Sequence, residues 1–170
     1  MNSLHIREPT ILDMEQFLCA VEQSKEFHHS WVSPPNTEKD FKEYIDKLKQ
    51  PNYKAFLLTK DTIDLVGVFN ISDIVRGCFQ SAYLGYYCFN NFSNKGCMST
   101  GLKLVLKEIF LNLKLHRIEA NIQPNNVHSI NLVKANKFNL EGYSKNYLQV
   151  DRIWRDHERW ALTYEDWHSI

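Results

Sequence analysis

The sequence holds 170 residues, a length typical of one domain that can bury a core without disulfide or metal support. Twenty basic residues balance twenty acidic ones, and a net charge of zero does not suggest a nucleic-acid or anionic-membrane partner. A hydrophobic content of 44% with 24% charged residues excludes a disordered chain and is typical of a globular enzyme.

The cysteines and the amino terminus favour a cytoplasmic protein. Cys19, Cys78, Cys88 and Cys97 form no C-x-x-C pair, and no histidine stands at zinc-ligand spacing, so we expect reduced thiols and no metal. No charged-then-apolar signal pattern opens the chain, and no apolar run reaches the ~18 residues of a membrane span. We therefore expect a single domain over residues 1–170, without membrane attachment.

The first fifty residues predict one short strand and two helices. Residues 4–9 alternate apolar and polar side chains and stop at Pro9, which indicates a strand. Residues 10–29 carry apolar side chains three and four positions apart, as on one helix face. Thr37 follows a proline-rich break and is a favourable N-cap for a second helix that runs to about residue 50.

The middle of the chain predicts three extended segments and a long helix. Lys60-Asp61 and Arg76-Gly77 stand where turns between antiparallel strands are expected. These turns separate the extended residues 53–59, 65–71 and 79–89. Residues 96–113 repeat apolar side chains at helical spacing and give the clearest helix of the sequence.

The last third predicts three strands and one short helix. The strands are residues 117–123, 138–148 and 152–164, and the helix is residues 126–136. The order β-α-α-β-β-β-α-β-α-β-β predicts an α/β (α+β) layer fold with a mixed central sheet of about seven strands and about four helices.

A glycine-containing loop joins the third extended segment to the long helix. The first N–H groups of a helix have no intrahelical partner, and with the helix dipole they form an anion site suited to a pyrophosphate. Gly96 lets the backbone approach a ligand closely, and Lys95 adds positive charge. Taken alone, the loop is equally typical of a glycine that only turns the chain. Neither a nucleotide-triphosphate loop nor a dinucleotide fingerprint is present.

This loop resembles the pyrophosphate loop of the GNAT superfamily of acetyl-CoA-dependent N-acetyltransferases, whose pattern is Q/R-x-x-G-x-G/A. The corresponding stretch begins at Ser93 and ends at Met98; Gly96 matches the pattern, whereas Ser93 and Met98 depart from it. Further blocks resemble the ribosomal-protein alanine N-acetyltransferase group within this superfamily. They are residues 75–79, 83–86, 115–122, 124–129, 138–143, 147–148 and 154–157. The resemblance implies the GNAT fold, with acetyl-CoA as co-substrate and no metal.

The resemblance also implies which residues bind the co-substrate. The strand before the loop would hold the pantetheine and the thioester through its backbone, with an N–H near Cys88 polarising the carbonyl. The Asn126 side chain would bond the pantetheine, although Asn-x-x-Ser is equally typical of a helix start. The implied co-substrate residues are Tyr86, Tyr87, Cys88, Phe89, Ser93, Asn94, Lys95, Gly96, Cys97, Met98, Ser99, Thr100, Asn126 and Ser129.

The catalytic candidates are Ser129, Glu119 and Asn121. Related enzymes place an acid at the Ser129 position, and some place a carboxylate at the Asn121 position, where an amide cannot take a proton. Glu119 lies two residues earlier on the same strand face and is a candidate base through water, or a solvent-facing charge. Asp156 and His157 are further candidates for the base.

The acceptor is expected to be a primary amine. An α-amine has a pKa of about 7.7–8.0 and a lysine amine about 10.4, so the lack of an obvious carboxylate favours a protein N-terminus. Trp31 and Tyr86 are the expected substrate-binding residues, although a lone tryptophan is equally typical of a core. Alternatives are acetylation of a small amine (an aminoacyl compound, a polyamine or an antibiotic) and a CoA-binding module without turnover. We expect a monomer or a homodimer.

Overall fold

The computed structural model describes residues 3–169, and all structural statements below refer to them. The strands are β1 Leu4–Arg7, β2 Lys54–Lys60, β3 Asp64–Val75, β4 Ser81–Cys88, β5 Arg117–Ile122, β6 Asn139–Val150 and β7 Ile153–Thr163. The helices are α1 Met14–Gln23, α2 Lys25–His28, α3 Glu38–Lys47, α4 Cys97–Lys107, α5 Val127–Ala135 and α6 Tyr164–His168. Short 3₁₀ turns precede α1 and follow β4.

The strands form one seven-stranded mixed sheet in the order β1-β2-β3-β4-β5-β7-β6. Within the described part of the chain, β4 and β5 are the parallel pair and the other neighbours are antiparallel. The predicted fold class, a mixed and mostly antiparallel sheet of about seven strands, is confirmed. The helices are more numerous than the predicted four.

Three helix boundaries differ from the prediction. The predicted helix of residues 10–29 divides at Ser24, whose buried hydroxyl accepts a hydrogen bond from Asn90 N at 2.9 Å. The helix from residue 96 ends in a π-helical turn, in which Leu113 N donates to Glu108 O at 2.8 Å. α6 was not predicted; the Thr163 hydroxyl caps it by accepting from Asp166 N at 3.3 Å.

Each face of the sheet carries its own core. α4 and α5 cover one face, and their apolar side chains join Leu58 and Phe69 of the sheet in the larger core. α1 and α3 cover part of the other face, where Val68 and Tyr87 lie in the smaller core. Alternation of side chains along each strand therefore separates two buried layers.

Close packing of α4 depends on Gly101. A Cβ added there would lie 2.5 Å from Leu58 Cδ2 and 3.1 Å from Phe69 Cε2, and both of those side chains are fully buried. The missing side chain lets the helix lie directly on β2 and β3, and this contact fixes where α4 begins relative to the sheet.

An ion pair joins β1 to the turn before α1. Arg7 Nη2 and Nη1 donate to the two carboxylate oxygens of Asp13 at 2.5 and 2.9 Å, and Asp13 also accepts from Thr10 N at 2.7 Å. Burial alone would raise the pKa of Asp13, but these hydrogen bonds outweigh burial and lower it below the ordinary value.

β4 and β5 separate soon after they meet. Their parallel pairing covers Ser81 to Tyr83 on β4 and Arg117 to Glu119 on β5, while both strands continue for several residues. Beyond Tyr83 and Glu119 the edges of the two strands diverge and leave a gap in the middle of the sheet. In open α/β sheets, a crevice at the carboxyl ends of parallel strands is where ligands bind.

Candidate active site

A cavity of about 570 Å³ lies at this gap. One side is lined by the loop before α4 and by residues of α5, the other by residues around α2. The diverging strands contribute Leu84, Gly85, Tyr86, Tyr87, Cys88, Asn121 and Ile122. Because neighbouring residues of a strand point to opposite faces, these seven residues show that the cavity reaches both faces of the sheet.

The loop before α4 has a backbone suited to an anion. Asn94 and Gly96 have φ values of 56° and 74°, in the left-handed region that glycine, and to a lesser degree asparagine, adopts readily. Gly96 is the N-cap of α4 and provides no side-chain cap, so the N–H groups of the first turn remain available to a ligand. Lys95 extends over the loop, with its Nζ donating to Asn91 O at 2.8 Å.

Met98 replaces the small residue of the GNAT loop pattern, and Gly67 accommodates it. A Cβ added at Gly67 on β3 would lie 2.6 Å from Met98 Sδ. The thioether therefore packs down on the bare backbone of β3, and Met98 becomes part of the cavity wall.

The start of α5 faces the loop across the cavity. Asn126 Oδ1 caps the helix by accepting from Ser129 N at 3.2 Å, which satisfies the helix-start interpretation, while Asn126 also lines the cavity. Tyr86 Oη donates to Ser129 O at 3.1 Å and thereby ties β4 to α5. Burial raises the pKa of Tyr86, so its phenol stays protonated as a donor.

The backbone of β4 turns polar groups toward the gap at Cys88. Phe89 N donates to Val66 O at 2.9 Å, and Cys88 stands opposite Gly67. Since antiparallel strands alternate between hydrogen-bonded and non-hydrogen-bonded pairs, the Cys88 N–H and carbonyl point away from β3. His28 Nε2 meets that carbonyl at 2.8 Å, which fixes α2 against the gap. The Cys88 N–H is thus a backbone donor that points away from β3 toward the gap.

The Cys88 thiol itself is not activated. Burial, with a smaller contribution from Cys97, raises the pKa of Cys88 to about 12. A thiol of that pKa is protonated at neutral pH and does not act as a nucleophile. The role of Cys88 in the cavity rests on its backbone.

The segment after α2 closes the side opposite the loop. Trp31 lines the cavity with Phe27 and Val32. Gln123 Nε2, at the end of β5, donates to Ser30 O at 2.7 Å and holds this segment over the sheet. This side of the cavity is therefore a mostly apolar wall, anchored by one hydrogen bond from Gln123 just after β5.

Polar atoms without partners concentrate at the cavity. Four buried side-chain atoms of the described residues have no hydrogen-bond partner, and three of them belong to residues that line the cavity. These three are His28 Nδ1, Tyr87 Oη and Asn121 Oδ1. Buried polar atoms are normally paired, so their gathering here indicates a site that completes its hydrogen bonds with a ligand.

The cavity wall carries no formal charge. Among the residues that line it, no Asp, Glu, Lys or Arg occurs. Between residues 3 and 169 the structure brings together no group of three or more metal-ligating side chains, and no helix of that stretch is long and apolar enough to span a bilayer.

Most of the residues expected from the sequence meet at this cavity. They are Trp31, Tyr86, Tyr87, Cys88, Ser93, Asn94, Gly96, Met98, Ser99, Asn121, Asn126 and Ser129. Their roles in binding and catalysis remain predictions.

Five expected residues, together with the further candidate Asp156, do not line the cavity. The Phe89 side chain is buried in the smaller core against Phe17, with ring centroids 5.9 Å apart, and its N–H is bonded to β3. Thr100 is exposed on the outer side of α4, whereas Lys95 and Cys97 belong to the loop and first turn without reaching the cavity wall.

Glu119, the fifth of these residues, is paired elsewhere. Its Oε1 accepts from Arg117 Nε at 2.7 Å, and Arg117 also binds Glu141. Glu119 shares a strand face with Asn121, as predicted, but its carboxylate lies in an ion-pair network outside the cavity. The geometry does not support Glu119 as a base acting through water.

Other lining residues were not identified from the sequence. Phe27, His28, Gln123 and His128 line the cavity but carried no recognisable signal in the sequence. His28 is only 4% exposed, and burial lowers its pKa despite the hydrogen bond to Cys88.

Comparisons with known proteins place the chain in a family. Residues 3–139 match the family model described as an acetyltransferase (GNAT) domain. The [ribosomal protein uS5]-alanine N-acetyltransferase of Escherichia coli is 40% identical over 111 residues, which are 65% of this chain and 57% of that protein. The probable N-acetyltransferase YjcK of Bacillus subtilis is 27% identical over 96% of both chains.

The fold has a close counterpart among solved structures. Mycobacterium smegmatis RimJ in complex with CoA-disulfide superposes with a TM-score of 0.89 at 24% identity, covering 95% of this chain and 82% of that one. At this identity the likeness concerns the fold.

The chain belongs to the GNAT family of N-acetyltransferases, and it is similar to the ribosomal-protein alanine N-acetyltransferases within it. The family predicted from the sequence is confirmed, and so is the resemblance to this group. The aligned segment nevertheless spans little more than half the length of the first curated relatives.

Proposed function

We propose that this chain, acting as a single domain, transfers the acetyl group of acetyl-CoA to the N-terminal α-amine of a protein. The observation that carries the proposal is the cavity through the gap between β4 and β5. It joins a loop suited to pyrophosphate with an uncharged, partly apolar acceptor side.

The residues on the loop side fit CoA. The available N–H groups of the first turn of α4 suit the pyrophosphate, and the Cys88 N–H suits the thioester oxygen. Acetyl-CoA supplies an activated acyl group when bound. The Ser129 side chain, on the cavity wall, is the candidate to protonate the departing sulfur.

The uncharged wall favours an α-amine over a polyamine or a lysine side chain. A polyamine carries several positive charges, and burying them without carboxylates is costly. At pH 7.5 roughly a quarter to two fifths of an α-amine is neutral, against about one part in a thousand of a lysine amine. A site without carboxylates therefore suits the amine that needs least help in losing its proton.

The particular acceptor suggested by the relatives is a ribosomal protein with N-terminal alanine, because that is the substrate named for the Escherichia coli relative. The apolar acceptor side formed by Phe27, Trp31 and Val32 suits a small apolar first residue.

A panel of amines with acetyl-CoA tests the proposal, with release of free CoA as the readout. We expect turnover of peptides that begin with Ala or Ser. The matched control is the same peptide with a blocked N-terminus and a free internal lysine, on which we expect little turnover. Faster turnover of spermidine or of another small amine would overturn the N-terminal assignment. If CoA raises the melting temperature but no amine releases CoA, the chain is a binding module.

A further inference from the structure

We propose that His157, beside Asn121 on the cavity wall, is the general base of the reaction and removes a proton from the acceptor ammonium. The proposal rests on the acetyl-transfer function proposed above and names the residue that handles the amine. Both side chains line the cavity on the acceptor side.

The sheet register brings the two residues to one face. Asn121 of β5 stands opposite Arg159 of β7, and His157 lies two residues further along β7. Residues two apart on a strand point to the same face, so His157 and Asn121 lie on the same face of neighbouring strands. His157 is only 4% exposed, and the cavity is its opening to ligand.

One hydrogen bond fixes the tautomer of His157. Its Nδ1 lies 3.0 Å from the Arg155 carbonyl oxygen, which can only accept, so Nδ1 carries the proton. Nε2 then holds a free electron pair. Within residues 3–169 this atom has no hydrogen-bond partner, and unlike His28 Nδ1 it is not enclosed by protein atoms.

The surroundings keep the imidazole neutral at physiological pH. Burial lowers the pKa of His157 below its ordinary value, and this effect outweighs the opposing hydrogen bond to Arg155 O and the charge of Asp156. On its own strand Arg155 and Arg159 share its face; β5 contributes only the neutral Asn121. The ring of Tyr147 of β6 lies near it, with centroids 6.3 Å apart, and His28 of α2 and His128 of α5 are further titratable side chains on the wall of the same cavity.

The nearby carboxylates are not available for this role. Glu119 is paired with Arg117. Asp156 accepts from Tyr143 Oη at 2.5 Å and from Asn146 N at 2.8 Å, and it does not line the cavity. Of the other two histidines on the cavity wall, His28 bonds the Cys88 carbonyl, and His128 lies on α5, which packs on the opposite face of the sheet. His157 is thus the histidine that shares a sheet face with Asn121.

The step balances without another reactant. One proton passes from the acceptor ammonium to His157 Nε2, and the freed electron pair forms the new C–N bond to the acetyl carbonyl carbon. The C–S bond breaks, and the second proton lost by the nitrogen goes to the departing sulfur. His157 returns its proton to solvent and is neutral again.

The expected effect follows from the pKa of the amine. At pH 7 about 10–15% of an α-amine is neutral, so an enzyme without its base must select that fraction and slows about tenfold. Near pH 9 the amine is almost fully neutral and needs no base. The variants His157→Gln and His157→Asn should therefore lose about tenfold in kcat/KM at pH 7 and almost nothing at pH 9.

The experiment compares pH profiles of kcat/KM for a peptide with N-terminal Ala. Wild type should lose activity only below about pH 6.5, and both variants should lose it below about pH 8. His116→Gln is the matched control, because His116 is 52% exposed and pairs with Glu165 far from the cavity; it should keep the wild-type profile.

Two further readouts separate the outcomes. Calorimetric CoA affinity should be unchanged in the His157 variants, which shows that they fold. In wild type the NMR titration of the His157 ring should give a pKa below about 6.5. An equal loss at every pH, or no loss at pH 7, would overturn the role of His157 alone. A wild type that turns over no amine would overturn the proposed function as well.

Discussion

Replacing Gly96 by Ala tests the backbone conformation of the loop before α4, because the added methyl group makes no other contact in the site. Residue 96 has a φ of 74°, and an added Cβ would meet no atom within 4 Å. The cost of the methyl group is therefore purely conformational, about 1–2 kcal/mol for an L-residue in the left-handed region. In a chain of this size such a loss lowers the melting temperature by roughly 2–8 °C.

Gly77 provides a matched control. It has a φ of 72°, its added Cβ would also meet nothing within 4 Å, and it lies in the turn between β3 and β4, outside the cavity wall. Gly77→Ala should destabilise the protein to a similar extent as Gly96→Ala. Only Gly96→Ala affects the loop before α4.

The two variants should differ in CoA affinity. If residue 96 relaxes out of the left-handed region in the free protein, the melting temperature falls less than in Gly77→Ala and CoA must restore the loop on binding. The same 1–2 kcal/mol then appears as roughly 5–30-fold weaker CoA binding. Gly96→Asn should fall between wild type and Gly96→Ala, because asparagine tolerates this region better than alanine. Calorimetry with CoA measures the affinities. A smaller loss of melting temperature in Gly96→Ala than in Gly77→Ala, with equal CoA affinities for the two variants, would refute the assignment of this loop to CoA.

Two substitutions test the fold, and one labelling experiment tests the thiols. Asp13→Asn should cost about 1.5–3 kcal/mol of unfolding free energy at neutral pH. The pKa of Asp13 is lowered in the folded state, so this stabilisation is present above about pH 4 and is lost as the pH falls through the folded pKa. Urea midpoints of variant and wild type that stay apart at about pH 2 would contradict this linkage. Gly101→Val should cost at least about 1–3 kcal/mol in urea denaturation, since its side chain would overlap the buried Leu58; an unchanged midpoint would show that α4 can move away from the sheet. Iodoacetamide at pH 8 should label the exposed Cys78 well before Cys88, because the pKa of the Cys88 thiol is raised to about 12. Mass spectrometry of timed samples measures the two rates. Faster labelling of Cys88 would mean that its thiol is accessible and ionised.

The strands and long helices could be predicted from periodicity because each depends on local alternation of apolar residues. The break at Ser24 could not, and the hydrogen bond between Ser24 and Asn90 joins residues that are far apart in the sequence. The last helix left a signal that was overlooked: Thr163 precedes Asp166 by three residues, a typical N-cap spacing. Local chemistry was sufficient there, whereas Ser24 required the tertiary structure.

The site residues fall into the same two groups, those that the sequence predicts and those that require the tertiary structure. The loop glycine and the start of α5 follow from the resemblance, and the structure places both on one cavity. Alternation along β4 argues against the Phe89 side chain as part of the co-substrate site. Phe89 shares a face with the buried Tyr87, so both side chains point into the same core. The ion pair of Glu119 with Arg117 depends on side-chain rotamers, and the position of His157 near Asn121 depends on strand register. Neither can be deduced from spacing in the sequence.

Mapping the acetyl group on a single peptide tests the proposed transfer most directly. The peptide begins with alanine and carries one internal lysine, so both kinds of amine compete in the same reaction with acetyl-CoA, and tandem mass spectrometry locates the product. We expect the acetyl group on the N-terminal nitrogen, with the lysine unmodified. Acetylation of the lysine in preference to the N-terminus would contradict the proposed acceptor, and an unmodified peptide in the presence of bound CoA would contradict transfer to a protein N-terminus.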